Sequence, residues 1–192
     1  DINAEPGVNP QRKDGRGNIC PVTIIMPTLA MQAKEEALTN SAPFSEALEG
    51  QAVDKFFAIL NTKIHEAKDM LLERFEWICS QPADSAKFMY ENGLMEGYDG
   101  KDIRSALKHG TLAIGQLGLA ETLQILIGCD HTEERGMELA KRIEELFKTR
   151  CAEFKEEYQL NFGVYYTPAE NLCYTAMRKF KDKYGEIPNV SD

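Results

Sequence analysis

Three short segments of the chain have the apolar, β-branched pattern of strands. The segment from Asn18 to Met26 is almost continuously apolar, which is typical of a strand covered on both faces. Thr111–Gly118 has a similar character, although its two glycines weaken the pattern. Leu160–Tyr166 alternates and is rich in aromatic residues, which favours a third strand. Helical segments separate the three, so we expect parallel pairing through right-handed crossovers.

Between these segments, apolar residues recur at steps of three and four, the spacing of amphipathic helices. The longest predicted helix, Glu46–Ser80, carries one apolar stripe: Val53, Phe56, Phe57, Leu60, Ile64, Ala67, Leu71, Phe75 and Ile78. A second long helix, Glu133–Gln159, carries another: Met137, Ala140, Ile143, Phe147, Cys151, Phe154 and Tyr158. Further helices are predicted at Pro27–Ala37, Asp102–Lys108, Leu119–Ile127 and Thr167–Gly185, and loops at residues 1–17, 39–45 and 90–100.

This order predicts an α/β fold, with about three parallel strands and long crossover helices in a single fragment spanning residues 1–192. A chain of 192 residues that is 43% apolar has enough material for a core. The 31 acidic and 22 basic residues give a net charge of −9, which argues against binding a nucleic-acid polymer. The longest apolar run, Ile19–Met26, is too short for a membrane span. Without a signal-peptide pattern, a cytoplasmic location is expected.

The five cysteines are widely spaced and form no C-x-x-C pair. We therefore expect free thiols that are mostly buried as small apolar side chains, and no structural zinc site. Cys129, Asp130 and His131 are three candidate ligands in a row. Adjacent residues in a loop cannot easily converge on one ion, so no metal site is predicted in this chain.

Thr167-Pro168-Ala169-Glu170 has the pattern of a capping box, with Pro168 at the first helical position. One interpretation is simply a well-formed helix start. The other is functional, because a strand that leads into a helix N-terminus aims free amides at the carboxyl edge of a sheet. Those amides and the positive end of the helix dipole suit a phosphate group.

Asp14-Gly15-Arg16-Gly17-Asn18 leads into the first strand, and its two glycines allow a tight turn. A solvent loop with an Asx turn explains this pattern. Alternatively, Asn18 presents its amide to a ligand, since the asparagine amide offers both donors and acceptors without charge. Neither this motif nor the preceding one identifies a reaction by itself.

Taken in order, three groups of motifs resemble the anaerobic (class III) ribonucleoside triphosphate reductases. The first group is Gly15-Arg16-Gly17-Asn18-Ile19, then Val22-Thr23-Ile24, Pro27 and Leu29-Ala30. The second is His109-Gly110-Thr111-Leu112-Ala113-Ile114-Gly115, then Gly118-Leu119-Ala120-Glu121. The third is Asn161-Phe162, Thr167-Pro168-Ala169-Glu170 and Leu172, followed by Phe180, Tyr184-Gly185 and Val190-Ser191-Asp192. Each motif alone is weak, and three in order are fairly specific.

The resemblance implies a ten-stranded α/β barrel of the glycyl radical enzymes, of which this chain would be a central part. In that family a finger-loop cysteine becomes a thiyl radical that abstracts the ribose 3′-hydrogen, and a glycyl radical generates the thiyl. Formate supplies the reducing equivalents for making deoxyribonucleotides, which DNA replication consumes. The implied partners are a ribonucleoside triphosphate, a radical-SAM activase with an iron–sulfur cluster, and a second subunit in a homodimer.

The resemblance also implies roles for particular residues. Asn18 matches an asparagine that hydrogen-bonds substrate, and residues 167–170 (Thr167, Pro168, Ala169, Glu170) match the strand-to-helix corner that contacts its phosphates. Gly115 and Gly118 match glycines that allow close backbone approach beside the substrate. The radical cysteine, the radical glycine and the zinc site are implied outside this chain, so the chain alone is expected to be inactive and to bind no cofactor.

The sequence departs from the family at three positions. Cys20 stands where a small residue such as glycine is usual, so it does not replace the radical cysteine. Gln116 stands where an aromatic residue is common, and Asn171 where glycine is common. Two other hypotheses remain open at this stage. One is another glycyl radical enzyme on the same barrel, and the other is a non-catalytic helical scaffold or dimerisation module that uses the two long apolar stripes as its interfaces.

Overall fold

A computed structural model of the chain describes residues 1–12, 16–39 and 46–192. Asp14 and Gly15 of the predicted turn and residues 40–45 of the predicted connector therefore lie outside the described residues. The strands are β1 (Asn18–Ile25), β2 (Thr111–Leu117) and β3 (Asn161–Tyr166). The helices are α1 (Met26–Thr39), α2 (Glu46–Cys79), α3 (Lys87–Glu91), α4 (Arg104–Leu107), α5 (Leu119–Ile127), α6 (Glu134–Tyr158) and α7 (Glu170–Tyr184), with a 3₁₀ turn at Ala83–Ala86.

The three strands form one parallel sheet in the order β1-β2-β3. The predicted α/β class and the three predicted strands are confirmed. In the central strand, residues 112–116 are all buried, as expected where neighbouring strands and helices cover both faces. The helical segments that follow β1 and β2 allow each successive strand to return in the same direction.

The structure corrects two predictions about secondary structure. The segment 90–100 was expected to be loop throughout, but α3 runs through Glu91 and places the Tyr90 ring 4.9 Å from the Tyr98 ring. The last helix was expected to begin at Thr167, and it begins three residues later, at Glu170. Both errors lie at boundaries, where a pattern of apolar residues carries little information.

The chain divides into two compact units. The first comprises Asp1–Val22, Glu66–Ile114 and Lys148–Tyr165. Its core includes Phe75 from α2 and Phe154 from α6, and the Phe154 ring meets the Phe162 ring at 5.6 Å. Asn161 fastens the start of the chain to this unit: its Oδ1 accepts from the Ile2 amide at 2.8 Å, and its Nδ2 donates to the Asp1 carboxylate at 2.9 Å.

The second unit comprises Thr23–His65, Gly115–Phe147 and Tyr166–Asp192. Helix α1 packs against α5 in this unit. Its largest fully buried apolar side chains come from α1, α2, α5 and α6: Met26, Phe56, Leu60, Ile64, Leu123, Ile143 and Phe147. Burying such side chains stabilises the folded state by about 1.5–3 kcal/mol each relative to exposing them.

Most of the two predicted apolar stripes is buried within the chain. In α2 the residues from Val53 to Phe75 that were assigned to the stripe are buried except for Phe57. In α6 the exceptions are Met137, at 39% exposed, and Tyr158, which is half-buried. The prediction that Met137 belongs to the buried stripe is therefore wrong. Because these side chains form core, the stripes do not offer the free interfaces that a helical scaffold or dimerisation module would need.

The five cysteines are free thiols. Cys20, Cys129 and Cys151 are buried as predicted, whereas Cys173 is exposed, so the prediction of burial is wrong there. None of the helices within the described ranges is long and apolar enough to cross a membrane.

Candidate functional site

The connection from β3 to α7 is the corner that the sequence analysis singled out. Strand β3 ends at Tyr166, residues 167–169 follow in extended or irregular conformation, and the Cys173 amide makes the first helical hydrogen bond to the Ala169 carbonyl at 2.7 Å. Ala169 is the cap residue, with φ −132° and ψ 52°, and Pro168 precedes it. The amides of the first turn of α7 therefore have no acceptors within the helix.

The predicted capping box is wrong. Thr167 lies two residues before the cap, so it cannot cap α7, and Pro168 is not at the first helical position. The Thr167 hydroxyl instead shares a 2.8 Å hydrogen bond with the Thr23 hydroxyl of β1. Its role at this corner is to tie the chain after β3 to another strand of the sheet.

Gly115 in β2 lies directly beside this pair of threonines. A Cβ atom at position 115 would be 2.4 Å from Thr167 Oγ1 and 2.7 Å from Thr23 Oγ1, which is closer than real Cβ contacts allow. Only glycine leaves room for the hydroxyl pair. The structure thus brings together two of the predicted site residues, Gly115 and Thr167, beside Thr23 of β1.

The backbone conformation and packing at position 118 explain why glycine stands there. Gly118 adopts the left-handed conformation at φ +82° where β2 turns into α5, and a Cβ there would be 2.4 Å from the Pro27 ring. The Thr122 hydroxyl donates to its carbonyl oxygen at 2.7 Å. These contacts explain the glycine without a ligand, and its position beside a substrate stays a prediction.

A mostly apolar cavity of ≈ 110 Å³ lies in the same unit. Pro27 and Thr28 line it from the start of α1, Gly118 from the turn between β2 and α5, and Cys173 and Met177 from α7. The exposed thiol of Cys173 therefore faces a recess where strands end and helices begin. Ligands commonly bind at such edges in α/β proteins.

Asn18 belongs to the first unit, separately from the residues above. It is the first residue of β1, its side chain is exposed, and it lines a cavity of ≈ 500 Å³ together with Arg16, Lys155 and Asn161. Within that unit the Asp1 carboxylate accepts from His109 Nδ1 at 2.9 Å and pairs with Arg16 at 3.2 Å. Burial, followed by the charges of Lys108 and Arg16, lowers the pKa of His109, so its ring is mostly neutral at pH 7.

The described residues contain no group of three His, Cys, Asp or Glu side chains that could hold a metal ion. Asp130, from the sequence Cys129-Asp130-His131, accepts from the Thr132 amide at 2.7 Å and from its hydroxyl at 2.6 Å. Its carboxylate closes a local turn. Hydrogen bonding to Thr132 accordingly lowers the pKa of Asp130.

The sequence analysis missed several residues around the corner. Thr23 was treated as one position of an apolar strand, although a hydroxyl within Val22–Ile25 marks the place where a polar contact has to be made. Glu144 and Tyr166 were also missed, and their side chains hydrogen-bond each other at 2.8 Å. Nothing in the local pattern pairs them, since 22 residues separate them in the chain.

Comparison with known proteins identifies the family. A family model described as anaerobic ribonucleoside-triphosphate reductase matches residues 2–192. The enzyme of that name from Escherichia coli (strain K12) is 28% identical over 192 residues, covering 95% of this chain and 24% of the relative. The enzyme of that name from Enterobacteria phage T4 is 28% identical over 183 residues, covering 93% of this chain and 27% of the relative. The chain thus spans about a quarter of the length of the curated relatives it matches.

Solved structures agree at the level of the fold. The anaerobic ribonucleotide reductase of Thermotoga maritima with glycerol in the active site superimposes with a TM-score of 0.64 at 17% identity, covering 93% of this chain and 26% of that one. The same enzyme in complex with dATP and CTP gives a TM-score of 0.63 at 19% identity, covering 93% and 26%. Because the family model covers almost every residue, this chain belongs to the anaerobic ribonucleoside-triphosphate reductase family.

Proposed function

We propose that this chain is part of the catalytic barrel of an anaerobic ribonucleoside-triphosphate reductase and that its β3–α7 corner contacts the triphosphate of the substrate. The parent enzyme would convert ribonucleoside triphosphates to deoxyribonucleotides by radical chemistry. Membership of the family supports the activity. The observation that supports the phosphate site is the β3–α7 connection, where the first turn of α7 follows closely after the Thr23–Thr167 pair.

The chain's own residues account for triphosphate binding in simple terms. First-turn amides of α7 donate to phosphate oxygens, and the positive end of the helix dipole favours their charge. The Thr167 hydroxyl, already 2.8 Å from Thr23 Oγ1, can donate to a phosphate while it accepts from Thr23. Gly115 contributes no side-chain atom to this face of the sheet, so the Thr23 and Thr167 hydroxyls can meet.

We propose that the other components of the reaction, which the family resemblance implies, are supplied from outside this chain. They are the radical cysteine and glycine, the zinc site, formate as the reductant, the radical-SAM activase and the second subunit of a homodimer. We propose no cofactor bound by the residues of this chain and a cytoplasmic location. The proposal assigns Asn18, Gly115, Gly118 and residues 167–170 to substrate binding.

The test uses the complete polypeptide that carries this segment, activated under anaerobic conditions. Asn18→Ala and Thr167→Ala should each lower kcat/KM for a ribonucleoside triphosphate more than tenfold. Thr62→Ala is the matched control, because the Thr62 hydroxyl only bonds the Ala58 carbonyl on the exposed side of α2. If neither variant loses more than tenfold activity, the site assignment is wrong.

A second measurement tests whether the chain is incomplete as a catalyst. The 192-residue chain alone should reduce no ribonucleotide when formate and the activase are supplied. Turnover by that chain would show that it contains its own radical residues, and the proposal that it is one part of a longer enzyme would then fail.

A further inference from the structure

A three-residue polar network joins β2, α6 and β3 in the second unit. Gln116 Nε2 donates to both carboxylate oxygens of Glu144, at 2.7 Å and 2.9 Å. The Tyr166 hydroxyl donates to Glu144 Oε2 at 2.8 Å. We call these residues the Glu144 network. Its centre is one carboxylate that accepts from a side chain of each of two strands.

The network and the threonine pair lie on opposite faces of the sheet. Successive residues of a strand point to opposite faces, so Gln116 faces away from Gly115, its neighbour in β2. Tyr166 and Thr167 are likewise consecutive, and they bond to Glu144 and Thr23 respectively. The backbone between Tyr166 and Thr167, which leads into the first turn of α7, is therefore held from both faces.

Within the described ranges, the network leaves one buried polar atom without a hydrogen bond, which costs free energy and indicates that its geometry matters. Gln116 is only 4% exposed, and its Oε1 finds no hydrogen-bond partner among the described residues. Turning the amide over would place that oxygen against the Glu144 carboxylate, so the orientation with Nε2 donating is the favourable one. The hydrogen bond to Glu144 raises the pKa of Tyr166, so the phenol remains a donor at neutral pH.

We propose that Glu144 is a positioning residue for substrate binding: through Tyr166 it anchors the start of the β3–α7 corner, so that the amides and the Thr167 hydroxyl are held ready for the triphosphate. The inference rests on the proposed function and extends it to a residue that touches no substrate. It predicts a defect specific to phosphate binding, because Tyr166 immediately precedes the corner that is proposed to bind the phosphates.

The test compares binding of a ribonucleoside triphosphate with binding of the matching nucleoside, in the complete polypeptide that carries this segment. Glu144→Ala should raise the Kd and KM for the triphosphate about three- to tenfold, the loss expected for a hydrogen bond to a tyrosine that is 67% exposed, while kcat stays within about twofold. Binding of the nucleoside should not change. Tyr166→Phe, which removes only one hydroxyl, should shift triphosphate binding in the same direction and covers the case in which Glu144→Ala fails to fold.

Two further variants separate positioning from a general loss of stability. Glu144→Gln should restore triphosphate binding, because its amide can accept from Tyr166 and also donate to the unpaired Gln116 Oε1. Glu138→Ala removes an exposed carboxylate from the same helix and should have no effect. Equal losses for the triphosphate and the nucleoside in Glu144→Ala would overturn the inference.

The outcomes also distinguish the inference from the proposed function. If Thr167→Ala weakens triphosphate binding and both Glu144→Ala and Tyr166→Phe leave it unchanged, the network plays no part and the phosphate corner stands. If Thr167→Ala, Glu144→Ala and Tyr166→Phe all leave triphosphate binding unchanged, the corner is not the phosphate site, and both proposals are wrong.

Discussion

Replacing Gly115 by alanine would place a methyl group 2.4 Å from Thr167 Oγ1 and 2.7 Å from Thr23 Oγ1. The Thr23 Cα atom lies only 3.3 Å away, so one of the obstacles is backbone and cannot rotate aside. The threonine pair would have to separate and give up its 2.8 Å hydrogen bond. Gly115→Ala is therefore expected to destabilise the protein and to disturb the candidate corner together.

The size of the effect follows from two contributions. Forcing an extra methyl group into a packed interior costs roughly 1–3 kcal/mol. Losing the hydroxyl–hydroxyl hydrogen bond adds about 1 kcal/mol. We expect the free energy of unfolding to fall by roughly 2–4 kcal/mol, measured by urea denaturation followed by circular dichroism.

Gly50→Ala is the matched control, since it makes the same chemical change in an exposed position of α2. Among the described residues no atom lies within 4 Å of a Cβ at position 50, so alanine there should stabilise the helix by roughly 0.5–1 kcal/mol. Combining Gly115→Ala with Thr167→Ala should recover part of the loss, because the closest contact disappears. Unchanged stability in Gly115→Ala, or no recovery in the double variant, would refute the packing argument.

Three other predictions follow from single side chains. Burial raises the pKa of the Cys151 thiol to about 11 from 9.0, so between these pH values the unfolded chain releases a proton that the folded chain keeps. The free energy of unfolding should therefore fall as the pH rises from 9 to 11. Denaturation curves across this range should show a smaller decrease for Cys151→Ala than for the unchanged chain. Trp77 is the single tryptophan and is 66% exposed, so its fluorescence should be red-shifted and easily quenched by iodide, and a blue-shifted, protected emission would contradict the structure. Asn161→Asp should lower the unfolding free energy by roughly 2–4 kcal/mol at pH 7, because the new carboxylate would face the His109 and Gly110 carbonyls and the Asp1 carboxylate. These acceptors raise the pKa of the new carboxyl group in the folded state, so the loss in unfolding free energy should be smaller at pH 5 than at pH 7. Urea denaturation at the two pH values tests this, and a larger loss at pH 5 would contradict it.

Long periodic segments made the fold largely predictable. Helix α2 was expected at 46–80 and ends at Cys79, and α5 was expected at the bounds it has, because Gly128 ends it. The three strands were found from their β-branched and aromatic composition. Periodicity works for these elements because each presents one face to a core that the same chain supplies.

The corner was harder to predict because its contacts are long-range. Thr167 has the local pattern of a helix cap, yet its hydroxyl bonds Thr23, a residue 144 positions away. Whether the Thr167 hydroxyl bonds a local amide or a distant hydroxyl depends on which residue of the neighbouring strand lies beside it. That residue is set by the register of the sheet, which the local sequence pattern does not reveal. The Glu144 network escaped notice for the same reason, since each of its bonds joins residues at least 22 positions apart.

Helix α5 is bounded at both ends by glycines in the left-handed backbone conformation that D-amino acids favour. Gly118 has φ +82° and Gly128 has φ +73°, values that L residues rarely adopt. At Gly118 the Pro27 ring also blocks an L side chain. At Gly128 no atom of the part of the chain that the structure describes lies within 4 Å of a Cβ, so the backbone conformation alone disfavours an L side chain there. A chemically synthesised chain with D-alanine at position 128 would therefore keep the backbone of the native helix end while removing the freedom that glycine has in the unfolded state.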